Sequence, residues 1–176
     1  MTNLLNLTLE ELTVFVTGEL DQPPFRARQL WTWLWRKRAR TFEGMSDLSK
    51  SLRSALEDRA VITWPEIADT QVSADGTVKL LLRLADGELV ETVLIPSESR
   101  DGKTRMTQCL SCQVGCAMGC TFCATGPLGF LRTMTMSEIL GQVLVARAHL
   151  RDAPEHTPPR HRVFTGQGEP MLNLQE

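Results

Sequence analysis

The segment CQVGCAMGCTFCATG, residues 112–126, constrains this chain more than any other stretch. It holds Cys112, Cys116, Cys120 and Cys123, and Cys109 lies just before it. Gly115, Gly119 and Gly126 let such a loop fold tightly and turn its amides toward an anionic centre. No run approaches the roughly 18 apolar residues of a membrane span. The start MTNLLNLTLEEL also lacks the basic residues and cleavage site of a secretory signal. A cytoplasmic protein is therefore expected, with no membrane partner. A reducing compartment disfavours a disulfide framework and turns clustered cysteines toward metal or redox chemistry.

Two metal readings follow from the spacing. Cys116, Cys120 and Cys123 form C-x3-C-x2-C, three thiolates on one loop. That set suits a [4Fe-4S] cluster with one iron left open to chelate a small molecule, whereas a structural cluster would take a fourth thiolate. Alternatively, Cys109, Cys112, Cys120 and Cys123 form C-x2-C-x7-C-x2-C, a set of four soft ligands for zinc. Its inner separation is shorter than the roughly 15–20 residues of common zinc sites, and it leaves Cys116 without a role.

The rest of the chain reads as three stretches. Residues 1–60 are expected to be a small helical domain. Thr8 with Glu11 forms a capping box, and Pro23 and Pro24 introduce a second helix. Ala27, Leu30, Trp31, Leu34 and Trp35 give that helix one buried face, while Leu48, Leu52 and Leu56 mark a third. Residues 61–105 read as a β-hairpin and linker, with two Val/Leu/Ile-rich runs around Ala85-Asp86-Gly87 and then the polar link SESRDGKTR. Residues 106–176 read as strand, cysteine loop, helix 137–150 opened by Thr135 with Glu138, proline-rich loop, and strand 161–165. That βαβ order makes the fold class α/β and favours a parallel sheet or barrel. The formal net charge of -2 excludes a uniformly basic nucleic-acid binder. It conceals a local patch, Arg26, Arg28, Arg36, Lys37, Arg38 and Arg40, with no acidic residue among them. Such a face suits phosphate contacts, with Trp33 available to stack on a base, or else it is a solvated helix surface.

The C-x3-C-x2-C loop, with Phe122 just before its third cysteine, resembles that of the radical S-adenosylmethionine (SAM) enzymes. The wider string CLSCQVGCAMGCTFCATGPLGFLRTMTMSEILGQV, with VETVLIP before it and VFTGQGEPMLN after it, resembles the RlmN family of RNA adenine-C2 methyltransferases. FRARQLWTWLW and FEGMSDLSKSLR are similar to that family's accessory domain. The resemblance covers nearly the whole chain. It implies an RNA-binding accessory domain, a hairpin, and the first βαβ part of a partial (βα)6 barrel.

The resemblance further implies that Cys116, Cys120 and Cys123 ligate the cluster and that its open iron binds SAM. Phe122, Gly168 and Glu169 would lie at the cofactor. A carboxylate at a strand end can accept from the methionine ammonium, and glycine permits close backbone approach. Cys109 would resolve a covalent enzyme–RNA intermediate through a disulfide, and Glu91 would take a proton. Adenine C2 is electron-poor, and a radical route proceeding through a methylated enzyme cysteine suits it. The implied partners are 23S rRNA, tRNA as a second substrate, and an electron donor such as flavodoxin, with the chain itself a monomer. The family's methyl-carrying cysteine has no counterpart after Cys123. The expectation is a fragment or truncated product, inactive alone, with Cys112 a buried bystander. The alternatives are the sister adenine-C8 methyltransferase or a non-catalytic metal-binding RNA module.

Overall fold

The computed structural model describes residues 1–98, 102, 104–151 and 159–174. Part of the polar link and most of the proline-rich loop before His161 lie outside the described residues. The chain divides into two units, Met1–Thr63 and the residues from Trp64 onward.

The first unit opens with β1 (Thr2–Asn3) and a 3-10 turn, followed by α1 (Leu9–Gly18), α2 (Phe25–Trp31), α3 (Lys50–Arg59) and β2 (Ala60–Val61). The capping box at α1 is complete. The Glu11 amide donates to Thr8 Oγ1, and the Thr8 amide donates to the Glu11 carboxylate at 2.8 Å. The Thr8 amide and the Thr8 hydroxyl, both donating to it, hold the Glu11 carboxyl below its ordinary range. Leu12, Phe15, Ala27, Leu30, Leu34, Leu52 and Leu56 are buried, as a 3.6-residue period requires. Trp31 and Trp35 are only half-buried and pack on each other in a tilted pair at 5.5 Å, where α2 passes into a π-helical turn over Thr32–Arg36. Parallel pairing of β1 with β2 closes the unit.

The second unit is built on a five-stranded sheet. It comprises β3 (Glu66–Val72), β4 (Val78–Arg83), β5 (Leu89–Glu98), β6 (Thr104–Cys109) and, after an insertion, β9 (His161–Val163), in the order β3-β4-β5-β6-β9. The insertion contains β7 (Gln113–Gly115), β8 (Phe130–Thr133) and α4 (Met136–Arg151). β6 and β9 are parallel across α4, which is the expected βαβ unit. β3 lies within the stretch expected as hairpin and linker. All its residues are exposed and a bulge falls between Ile67 and Asp69, as suits an edge strand.

Strand alternation gives the sheet two unlike faces. Val78, Leu80, Leu82, Val90, Leu94 and Met106 form a buried core with Ile139, Val145, Ala146 and Leu150 of α4. The opposite face, carrying Lys79, Leu81, Glu91, Val93, Thr107 and Cys109, stays half-buried. No helix among the described residues is long and apolar enough to cross a membrane. Truncating Leu80, which is fully buried, to alanine should cost about 2–5 kcal/mol of unfolding free energy. A urea titration of the variant would check this; an unchanged midpoint would refute the packing.

Candidate functional site

The cysteine loop leaves the sheet at the end of β6, and its root is fixed by a buried side chain. Gln142 of α4 accepts from the Ser111 amide at 2.9 Å and donates to the Ser111 carbonyl at 2.7 Å. It thus supplies the two bonds that a neighbouring strand would otherwise make. Gln108 donates to Thr92 Oγ1 and to the Gln142 carbonyl, each at 3.0 Å, while Thr92 Oγ1 donates to the Cys109 carbonyl at 2.7 Å. These buried polar groups pair largely with one another, although Gln108 Oε1 finds no hydrogen-bond partner among the described residues. Beyond the root, β7 pairs antiparallel with β8. The Cys116 amide continues that pairing by donating to the Gly129 carbonyl at 2.8 Å. Gly115 has φ +74°, and a Cβ there would collide with the Gly129 carbonyl, so the ladder closes only on glycine.

A clamp holds the base of this hairpin from outside. Arg132 on β8 reaches the Glu138 carboxylate at 2.8 and 2.9 Å and Asp86, in the β4–β5 turn, at 2.5 and 2.9 Å. Paired donors on two carboxylates fix the direction of the guanidinium as well as its charge.

Cys116, Cys120 and Cys123 are half-buried along the loop, and Phe122 is 91% exposed. Among the described residues no three His, Cys, Asp or Glu side chains are gathered closely enough to hold a metal ion. The three thiols share one loop without converging. Their chemistry still fits thiolate ligation. The Thr125 and Gly126 amides, helped by the Thr125 hydroxyl, donate toward Cys123 and pull its thiol below the ordinary range. Cys112 behaves oppositely. Burial pushes its thiol up to about 11, with the Glu169 carboxylate and Cys116 adding to the effect.

The Gly166-Gln167-Gly168-Glu169 segment docks on residues 110–113, immediately before the loop. The Gly166 amide donates to the Leu110 carbonyl at 3.1 Å, and the Cys112 amide donates to the Gln167 carbonyl at 2.9 Å. The Gln167 amide donates to Ser111 Oγ at 2.9 Å, and the Glu169 amide to Gln113 Oε1 at 3.0 Å. Gly168 adopts φ +100°, and a Cβ would lie 2.6 Å from that of Gln113. Glu169 is thereby carried beside the cysteine loop, its carboxylate accepting from the Met171 amide at 3.0 Å. Asn173 completes the docking with bonds to the Cys112 and Met134 carbonyls at 2.8 and 3.1 Å.

Glu91 and Cys109 share the half-buried sheet face. Cys109 stands opposite Val93, two residues from Glu91, which makes the pair diagonal neighbours at about 7–8 Å. Glu91 pairs with Lys79 Nζ at 3.0 Å, and Cys109 Sγ accepts from the Thr165 hydroxyl at 3.1 Å. Lys79, Ser111, Gln113, Gln142 and Asn173 were not singled out by sequence reasoning. Their partners lie 12 or more residues away, so no local pattern marks them.

Comparison with known proteins gives consistent relatives. The family model described as Ribosomal RNA large subunit methyltransferase N-terminal domain matches residues 2–62. The dual-specificity RNA methyltransferase RlmN of Nitratidesulfovibrio vulgaris strain DP4 is 67% identical over 177 residues, covering 100% of this chain and 49% of that protein. A probable RlmN of Chlorobium phaeovibrioides is 46% identical over 176 residues, covering 97% of this chain and 46% of that protein. A crystal structure of a radical SAM methyltransferase from Sphaerobacter thermophilus superposes with a TM-score of 0.84 at 38% identity, covering 99% of this chain and 49% of that one. The chain spans about half the length of the curated relatives it matches.

Two outcomes check this geometry. In the metal-free protein at mildly alkaline pH, iodoacetamide should alkylate Cys123 well before Cys112, as read by peptide mass spectrometry; equal rates would contradict the two environments. Gly168→Ala should expose the Cys112 and Gln167 amides to hydrogen exchange, with protection falling by about 1–3 kcal/mol; unchanged protection would mean the segment docks without needing glycine.

Proposed function

We propose that the chain belongs to the RlmN family and forms part of a radical SAM methyltransferase modifying C2 of adenine in 23S rRNA, with tRNA as a second substrate. The observation that carries the proposal is the docking of Gly166–Glu169 onto residues 110–113. It brings an anionic side chain and a close-approach backbone beside a three-thiol loop.

Cys116, Cys120 and Cys123 would hold the [4Fe-4S] cluster. When bound, the cluster and SAM together supply the radical chemistry that an electron-poor ring carbon requires. Glu169 and Gly168 would receive the amino-acid end of SAM, the carboxylate accepting from its ammonium, and exposed Phe122 would border the same space. On the sheet face, Glu91 acts as the proton acceptor at substrate, held in place by Lys79. The Cys109 thiolate would attack the sulfur of the second, methyl-carrying cysteine, forming a disulfide as the sulfur–carbon bond to the base breaks and the carbon keeps the electron pair and takes up a proton. Leu81 and Val93 lie on that same face. The donor would be a low-potential protein such as flavodoxin, and the setting the cytoplasm, with the chain monomeric.

Anaerobic reconstitution of the chain with iron and sulfide, followed by electron paramagnetic resonance of the reduced protein, tests the proposal. The expected result is a four-iron signal that changes when SAM is added. Cys116→Ala, Cys120→Ala and Cys123→Ala should each lose it, whereas Cys112→Ala should keep it. A protein that takes up one zinc and shows no SAM-sensitive signal would overturn the reading.

A further inference from the structure

We propose that the cleft lined by Thr13 of α1 and by Pro24, Phe25 and Arg28 is a stacking site for one unpaired RNA base, with Arg28 on the adjoining phosphate. The inference rests on the RNA-modifying function proposed above, which supplies the strand.

Trp33, the aromatic that the sequence offers for stacking, is already engaged. It is half-buried, its indole N–H donates to Asp47, and the Lys37 ammonium sits 3.4 Å from its ring centroid. Phe25 is the reverse case, a large apolar side chain left 53% exposed at the start of α2. The Arg26 guanidinium lies 4.9 Å from the ring centroid. That guanidinium is anchored in turn by Gln29 Oε1 at 2.8 Å and the Asp47 carbonyl at 3.2 Å, so the ring has a fixed neighbour. The cleft beside it measures about 310 Å³, at the small end of ligand pockets and suited to a single base more than to a helix or a folded cofactor.

Charge selects the occupant. Arg28 lines the cleft and is exposed, and residues 22–42 carry six cationic side chains and no acidic one. An exposed arginine at the cleft, within a stretch of that charge, favours a polyanion. Proteins read single-stranded RNA by stacking its splayed bases on aromatic rings while arginines meet the phosphates. An exposed phenylalanine set among arginines supplies both parts.

The test uses the whole 176-residue chain and an RNA hairpin with 2-aminopurine in its loop, read by anisotropy for binding and by 2-aminopurine quenching for stacking. Phe25→Leu keeps an apolar side chain but removes the ring. It should weaken binding about 5- to 150-fold and abolish quenching. Phe25→Trp should restore both. Arg28→Gln should weaken binding and reduce the salt slope by about 0.7. Thermal melting of each variant confirms that the fold is retained. Binding and quenching by Phe25→Leu equal to wild type would overturn this site while leaving the RNA-modifying function standing. A wild-type chain that binds no RNA would overturn both.

Discussion

The second unit depends on the exchange of two hydrogen bonds between Gln142 and Ser111. At Ser111 the chain leaves the sheet to form the cysteine loop, so its backbone groups lose the neighbours that β6 enjoys. Buried without partners, each would cost about 1–3 kcal/mol. The Gln142 amide replaces the missing strand from the direction of the helix. Ser111 then uses its hydroxyl twice, donating to the Glu91 carbonyl at 2.7 Å and accepting from the Gln167 amide. One residue thus joins the Glu91 strand, the loop root and the Gly-Glu segment. The three parts of the candidate site are thereby held to a common point.

The elements that could be read from the sequence are those whose cause is local. The capping boxes at Thr8 and Thr135 depend on side chains three residues apart, and both form. The Ala85-Asp86-Gly87 turn separates two runs of period 2, and β4 pairs with β5 around it. The βαβ order followed from the period change at residue 135 and its reversal near 161, and β9 does pair in parallel with β6. The elements that escaped have distant causes. EIADTQV has no apolar face because β3 buries none, so the alternation that signals a strand is absent. The β7–β8 pair is too short and its halves too far apart in sequence for periodicity to register.

The same division runs through the candidate site. Spacing marked Cys116, Cys120 and Cys123 as a set, and the resemblance marked Glu91, Cys109, Gly168 and Glu169. Neither could show that Lys79 pairs with Glu91, that Thr165 caps Cys109, or that Lys37 covers Trp33. The buried position of Cys112 agrees with its expected role as a bystander, and the physical reason is specific. Burial raises its thiol to about 11, so it gives up its proton less readily than an ordinary cysteine.

The Arg132 clamp has a consequence for assembly. Its link to Asp86 spans 46 residues of sequence, and its link to Glu138 needs the first turn of α4. Contacts so far apart repay their chain entropy only after the intervening strands have found each other, which places them late on a folding route. On that order of events, the loop base takes shape after the sheet. A chain emerging from the ribosome would then carry its thiols on a slack tether, and the loop would take a defined path only once the surrounding scaffold had closed.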